Sequence, residues 1–234
     1  MISVKDNIQK IEERIEKACL RCGRKREEIV LMGVTKFQPL EAVEEAWDAG
    51  IRCFGESRVQ EAVEKYNGFS ERHSCAELHL IGSLQRNKAK IAVSLFDCIQ
   101  SLDREVLITE LARHASGRNH PLQVLLELRT GEDTKSGFTD LDELYKAAEF
   151  ALGFPSLRVR GLMTMAPLTG EEKPVRAAFR KLVQARQELE SRFPAKSAQY
   201  NWDCLSMGMS GDYEIAVEEG STMIRIGGAI FAGK

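Results

Sequence analysis

The sequence predicts an α/β fold, a (β/α)8 TIM barrel with an extra helix ahead of its first strand, on three observations. Eight short apolar runs of strand length alternate with single amphipathic stretches. Strands joined by single helices imply right-handed crossovers and therefore a parallel sheet. The 234 residues come close to the length of about 250 at which eight such units close into a barrel. An open, doubly wound sheet is the alternative that the same alternation allows. No linker, repeat or low-complexity tract divides the chain, so residues 1–234 read as a single domain.

The opening helix spans 3–22. Val4, Ile8, Ile11, Ile15, Ala18 and Cys22 recur at alternating spacings of four and three, and Ser3 with Asp6 suits a capped start. Its stripe is expected to lie on the sheet and to cover the gap left by a missing eighth helix; a dimer seam is the other use of such a stripe. The apolar run Ile29–Thr35 is strand one, followed by the amphipathic helix Leu40–Ala49. Ile51–Phe54 is strand two, with helix Arg58–Tyr66 after it, and Leu78–Ile81 is strand three, with helix Asn87–Ser94. The pattern continues with Cys98–Ser101 and helix Arg104–Ser116, then Leu122–Leu128 and helix Leu141–Leu152. Leu157–Leu162 precedes the longest helix, Val175–Arg192; Cys204–Ser206 precedes helix Tyr213–Glu219, and Met223–Ile226 is the eighth strand.

Composition narrows the function. Charged residues make up 29% and hydrophobic ones 43%, as in an ordinary soluble protein, and a net charge of −2 attracts neither nucleic acid nor an acidic membrane surface. No apolar stretch approaches a membrane span, and the charged opening does not read as a signal peptide, so a cytoplasmic protein is expected. Most of the six cysteines lie in apolar runs. The one Cys-x-x-Cys, Cys19 and Cys22, sits in a helical pattern with no second pair, so it reads as packing and no metal site is expected. A nucleotide phosphate loop, a dinucleotide fingerprint, His-Glu-x-x-His and Gly-x-Ser-x-Gly are all missing.

Barrels of this kind place their chemistry at the C-terminal ends of the strands. There the chain carries Lys36, Ser57, Gly82, Ser83, Arg129, Thr130, Met165 and the turn Ser206-Met207-Gly208-Met209-Ser210-Gly211-Asp212, with Gly227 and Gly228 after strand eight. A lysine at a barrel mouth can form a Schiff base with an aldehyde, and partial burial there favours the neutral, nucleophilic amine. A solvated strand-end lysine is the plainer reading. The Ser206–Gly211 turn and the two glycines can present backbone N–H groups to a phosphate, although a helix cap by Ser210 or Asp212 explains the same spacing. Arg225, in an apolar strand, needs a partner such as a ring nitrogen or a carboxylate. His79, also in an apolar strand, reads first as a core histidine. Lysine and phosphate turn together suggest pyridoxal 5'-phosphate (PLP). Lys135 lies in the loop after strand five, either near the mouth with a part in cofactor transfer or merely solvated.

Six segments carry a resemblance. Val34-Thr35-Lys36, Phe54-Gly55-Glu56, His79 through Lys88, Gly161 through Ala166, Ser206 through Asp212 and Gly220 through Gly227, in this order, resemble the motifs of the PLP homeostasis protein family, the YggS/PROSC group. The chain departs from the family at Ser57, where asparagine is usual, and in the tail, where Ala232 intrudes before Gly233. The resemblance implies a PLP-binding barrel similar to the N-terminal domain of alanine racemase, with PLP held on Lys36 as an internal aldimine. It further implies that Ser206, Ser210 and Gly227 hold the phosphate and that Arg225 faces the pyridine nitrogen. The expected cofactor-binding set is Lys36, Ser57, His79, Met165, Ser206, Met209, Ser210, Arg225, Ile226 and Gly227, with no catalytic residue assigned. An arginine at the ring nitrogen weakens PLP as an electron sink, and few residues follow strand eight to build the second, catalytic domain of such racemases. The expected protein is therefore a carrier or buffer, monomeric or weakly dimeric, that delivers PLP to apo-enzymes. The alternatives are a small PLP-dependent racemase or lyase, and a barrel that binds another phosphorylated ligand without a covalent link.

Overall fold

A computed structural model describes residues 3–132, 136–194 and 200–233. Every apolar run anticipated as a strand is one: β1 (Val30–Val34), β2 (Cys53–Glu56), β3 (Glu77–Leu80), β4 (Cys98–Leu102), β5 (Leu122–Glu127), β6 (Leu157–Met163), β7 (Tyr200–Ser206) and β8 (Met223–Ile226). All pairings are parallel, the strands follow chain order, and β8 pairs back onto β1, so the sheet is a closed barrel rather than an open one. The helices are α1 (Val4–Cys22), α2 (Leu40–Asp48), α3 (Val59–Lys65), α4 (Phe69–Arg72), α5 (Ala89–Leu95), α6 (Glu105–Ala115), α7 (Leu141–Leu152), α8 (Glu172–Arg192) and α9 (Tyr213–Glu218).

Alternation along each strand sorts the side chains into two cores. Inward-facing Met32, Cys53, Cys98, Leu125, Met163, Cys204 and Met223 pack together inside the barrel. All but Leu125 carry sulfur, whose soft, adaptable side chains fill a narrow, irregular interior. Outward-facing residues such as Phe54, Leu80, Ile99, Leu126 and Ile226 pack against the helices in a much larger core.

The opening helix lays its apolar face on the barrel. Its Ser3 hydroxyl accepts from the Asp6 N–H at 3.1 Å and the Asp6 carboxylate accepts from the Ser3 N–H at 3.0 Å, a reciprocal cap. Its apolar face packs beside α9 and α2. Arg14 and Arg21 reach Glu214 and Glu218 of α9 at 2.8 and 2.7 Å, and the Asn7 amide donates to the Ile230 carbonyl at 3.0 Å. It thus stands between α9 and α2, in the place of the missing eighth helix. Cys19 is buried in that face and Cys22 only half so.

Several boundaries differ from the sequence reading. β2 runs two residues past Phe54, through a buried Glu56 that a hydrophobic pattern would end on. β7 starts at Tyr200, ahead of a bulge at Trp202 (φ 45°) where the register with β6 shifts, so its polar Asn201 and Asp203 hide the strand from a hydrophobic pattern. α8 begins at Glu172 with Pro174 in its first turn, where a missing N–H has no helical partner to lose. α4, one turn whose Phe69 packs edge-on against Phe54 and Tyr66, was too short to be anticipated. Among the described residues no helix is long and apolar enough to cross a membrane.

Candidate functional site

The C-terminal mouth of the barrel gathers most of the anticipated residues. Thr35, the last buried residue after β1, is followed by Lys36 and Phe37 in a turn. The expected partial burial of Lys36 does not hold: it is exposed. Phe37 has φ 65°, the left-handed region, which costs a bulky L-residue about 1–2 kcal/mol. The carbonyl oxygen of Thr35 holds the turn in that form, accepting from the Gln38 N–H at 2.9 Å and from Lys65 Nζ at 2.6 Å.

Behind the turn lies a buried polar cluster. Lys65 Nζ is 2.7 Å from Glu56 Oε1, which also accepts from Thr35 Oγ1 at 2.7 Å, and the Tyr66 hydroxyl is 2.7 Å from the same Thr35 oxygen. Glu56 is fully buried and its Oε2 has no hydrogen-bond partner. Burial pushes the Tyr66 phenol upward, so it stays neutral. The peptide group that leads into Lys36 is therefore clamped by an ion pair from β2 and α3.

Across the barrel, a second network runs downward from Arg225. Its Nη1 donates to Ser206 Oγ at 2.8 Å and its Nη2 to the Thr164 carbonyl at 2.9 Å. Ser206 Oγ in turn donates to Gln100 Oε1 at 2.6 Å, Gln100 Nε2 bonds His79 Nδ1 at 2.8 Å, and His79 Nε2 lies 3.3 Å from Glu77 Oε2. Arg225 thus finds a hydroxyl and a carbonyl, and among the described residues it makes no ion pair. Burial lowers its guanidinium to about 10, with Glu127 and Asp212 opposing that shift from a distance, so it stays a cation at neutral pH. Burial likewise pushes Asp212 up. Glu127, buried at the end of β5 and bonded to Ser136 Oγ at 2.9 Å, is raised to about 7, chiefly by burial.

The loops after β7 and β8 supply donors. Asp212 ties the first loop together, accepting from the Met209 N–H at 2.6 Å. The N–H groups of Ser210 and Gly211, and those of Gly228 and Ala229 beyond β8, have no acceptor among the described residues. Gly227 packs so closely on β1 that a Cβ there would lie 2.8 Å from the Val34 carbonyl oxygen, which seats its turn next to the Lys36 turn. Ser57 and Met165 are half-buried on the same rim, with Ser57 held where Gly82 approaches it: a Cβ on Gly82 would stand 2.2 Å from the Ser57 oxygen. Met209 is half-buried and Ser210 exposed.

Three members of the expected set stand differently. Ile226 points outward into the core beneath the helices, leaving only its backbone for the mouth. Ser206 and His79 are buried, with their polar atoms engaged through Gln100. Lys65, Gln100 and Glu127 escaped the sequence reading, which took in Glu56 and Thr164 only as members of strand-end motifs without a role. Glu127, flanked by Leu126 and Leu128, carried the same signal that marked Arg225. Lys135 lies outside the described residues.

Comparison with known proteins places this geometry. The family described as "Alanine racemase, N-terminal domain" matches residues 4–234. The chain is 41% identical over 234 residues to the pyridoxal phosphate homeostasis protein of Vibrio cholerae, covering 99% of this chain and 96% of that one. To the protein of the same name in Escherichia coli K12 it is 37% identical, covering 100% and 98%. The solved structure of PipY from Synechococcus elongatus with PLP bound superposes with a TM-score of 0.80 at 34% identity, covering 95% of this chain and 100% of that one. Alanine racemase from E. faecalis shares the fold alone, with a TM-score of 0.71 at 17% identity; this chain spans 59% of its length.

Proposed function

The chain belongs to the pyridoxal phosphate homeostasis proteins, within the alanine racemase N-terminal domain family, and from that premise we propose that it binds PLP at the barrel mouth and serves in PLP homeostasis. The observation that carries the reading is the donor set gathered there. An exposed lysine amine stands on a clamped turn, four N–H groups lack acceptors among the described residues, and a buried cation is fixed by Ser206 and Thr164. That set fits an aldehyde bearing a phosphate dianion and a pyridine nitrogen. The aldehyde of the cofactor supplies reversible covalent capture by an amine.

Each residue then has a task. Lys36 offers the amine and is the covalent anchor. The amides of Ser210, Gly211, Gly228 and Ala229 receive the phosphate, joined by the Ser210 hydroxyl. Arg225 keeps N–H bonds beyond the two it spends on Ser206 and Thr164. A cation rather than a carboxylate at the ring nitrogen disfavours a proton there, which leaves the cofactor a poor electron sink. This supports a carrier that limits free reactive aldehyde and passes PLP to apo-enzymes, rather than an enzyme.

The test is the visible absorption of the purified protein with added PLP, before and after borohydride, beside Lys36→Ala. A band that borohydride bleaches and the variant lacks is the expected result. A colourless wild type would refute covalent binding and leave a barrel for some other phosphorylated ligand. Turnover of amino acids at about 1 per second or more, with exchange of the substrate α-proton for solvent deuterium, would overturn the carrier reading in favour of a racemase or lyase.

A further inference from the structure

We propose that Cys53, Glu77 and His79 form a site for a borderline-soft divalent cation of the Zn2+ class at the end of the barrel opposite the Lys36 mouth. Strand register creates it. β2 and β3 pair with Cys53 opposite Glu77 and Gly55 opposite His79. Glu77 and His79, two apart on one strand, share a face, and Cys53 belongs to the barrel interior, so all three converge inside. The Cys53 sulfur, a Glu77 carboxylate oxygen and a His79 ring nitrogen lie within 4.8 Å of one another. Tetrahedral zinc with N, O and S ligands holds its ligand atoms about 3.3–3.8 Å apart, so side-chain adjustments of about an ångström complete the site.

Two further features mark it as more than a chance cluster. The second ring nitrogen of His79 accepts from the buried Gln100 amide at 2.8 Å, and the same amide turned over would accept from Nδ1–H, the outer contact that orients a ligating imidazole. A cavity of about 500 Å3 between α1, the turn before β2 and the start of β3 is lined by both Cys53 and Glu77. The Glu77 side chain is 52% exposed toward it, while Cys53 and His79 are buried, so the cation has an entry path and an open fourth position. Of the arginines on that cavity, Arg26 is paired with Glu12 and Arg52 is turned to the Trp47 and Ile51 carbonyls.

The proton balance is simple. On binding, the Cys53 thiol releases its proton to solvent and its sulfur becomes the anionic ligand. The proton on His79 Nε2 moves to Nδ1, which frees Nε2 for the metal. Gln100 turns its amide over, so that Oε1 accepts from Nδ1 and Nε2 donates to Ser206; the amide O and N are not distinguished by their positions alone.

The experiment uses the full chain, reduced, chelator-treated and free of added PLP, titrated with Co2+ alone and followed by absorption. One equivalent of Co2+ should give a thiolate-to-cobalt charge-transfer band that Zn2+ displaces. Cys53→Ser should abolish the band. Glu77→Gln, a half-exposed change that leaves the core intact, should weaken binding at least about tenfold. Cys75→Ser, on the exposed lining of the same cavity, should leave the band unchanged. A chain without the band, a band that depends on Cys75, or wild-type affinity in Glu77→Gln would each overturn the site. If Cys53→Ser fails to fold, Glu77→Gln and Cys75→Ser decide.

Discussion

Replacing Glu127 with glutamine should change how the stability of this barrel depends on pH. Glu127 is 2% exposed. Burial, then Asp103, raises its carboxyl from 4.5 to about 7, against the opposing pull of Ser136 and Arg225. Because the folded value exceeds the unfolded one, the folded state favours the neutral acid. Between the two values the folded chain holds a proton that the unfolded chain has released, so stability falls as pH rises. The contribution is fully present below about 4.5 and lost as pH climbs through about 7. The difference of about 2.5 pH units, at about 1.36 kcal/mol each, comes to about 3 kcal/mol as an upper value. Glutamine cannot ionise, yet it keeps a partner for Ser136. Urea unfolding of wild type and Glu127→Gln at pH 5, 6, 7 and 8 isolates the effect, since every other titrating group is common to both. The variant should gain on wild type steadily from pH 5 to pH 8. A difference flat to within about 0.5 kcal/mol would refute the reasoning, and a variant that loses ground at pH 8 would mean that Glu127 is an anion paired with Arg225.

Lys36→Ala should lose the borohydride-sensitive band while its unfolding midpoint in urea stays close to wild type, because an exposed side chain shifts stability by only about 0.5 kcal/mol. Lys65→Met should destabilise the fold by about 3–5 kcal/mol, since it leaves Glu56 as a buried charge without its cation; adding Glu56→Gln should restore part of that loss in the same urea titration. Gly227→Ala, whose Cβ would stand 2.8 Å from the Val34 oxygen, should cost about 1–3 kcal/mol and weaken PLP binding in a spectroscopic titration.

What the sequence disclosed and what it hid divide along one physical line. The strands and helices were legible because each is a local pattern: period two or period 3.6, a cap three residues away, a glycine at a turn. The barrel followed from the count and order of those units, and the mouth followed from the rule that assigns chemistry to strand ends. Lys36, Arg225 and the Ser206–Gly211 loop could therefore be picked out with no coordinates. Buried charges could not be placed in the same way, because their partners lie on other elements. Glu56, buried at the end of β2, is paired by Lys65 on the following helix, and Arg225, for which a ring nitrogen or a carboxylate was the expected partner, is held by Ser206 and Thr164. The left-handed Phe37 belongs to the same class, for no propensity favours it and the Lys65–Thr35 bond helps to hold the turn it sits in. Cys53 and Glu77 are 24 residues apart in the chain, a spacing matching no metal motif, yet strand register sets them side by side. In this barrel the backbone pattern is encoded locally and the charges are encoded by register, so the polar interior becomes readable only once β2, β3 and β8 are aligned with their neighbours.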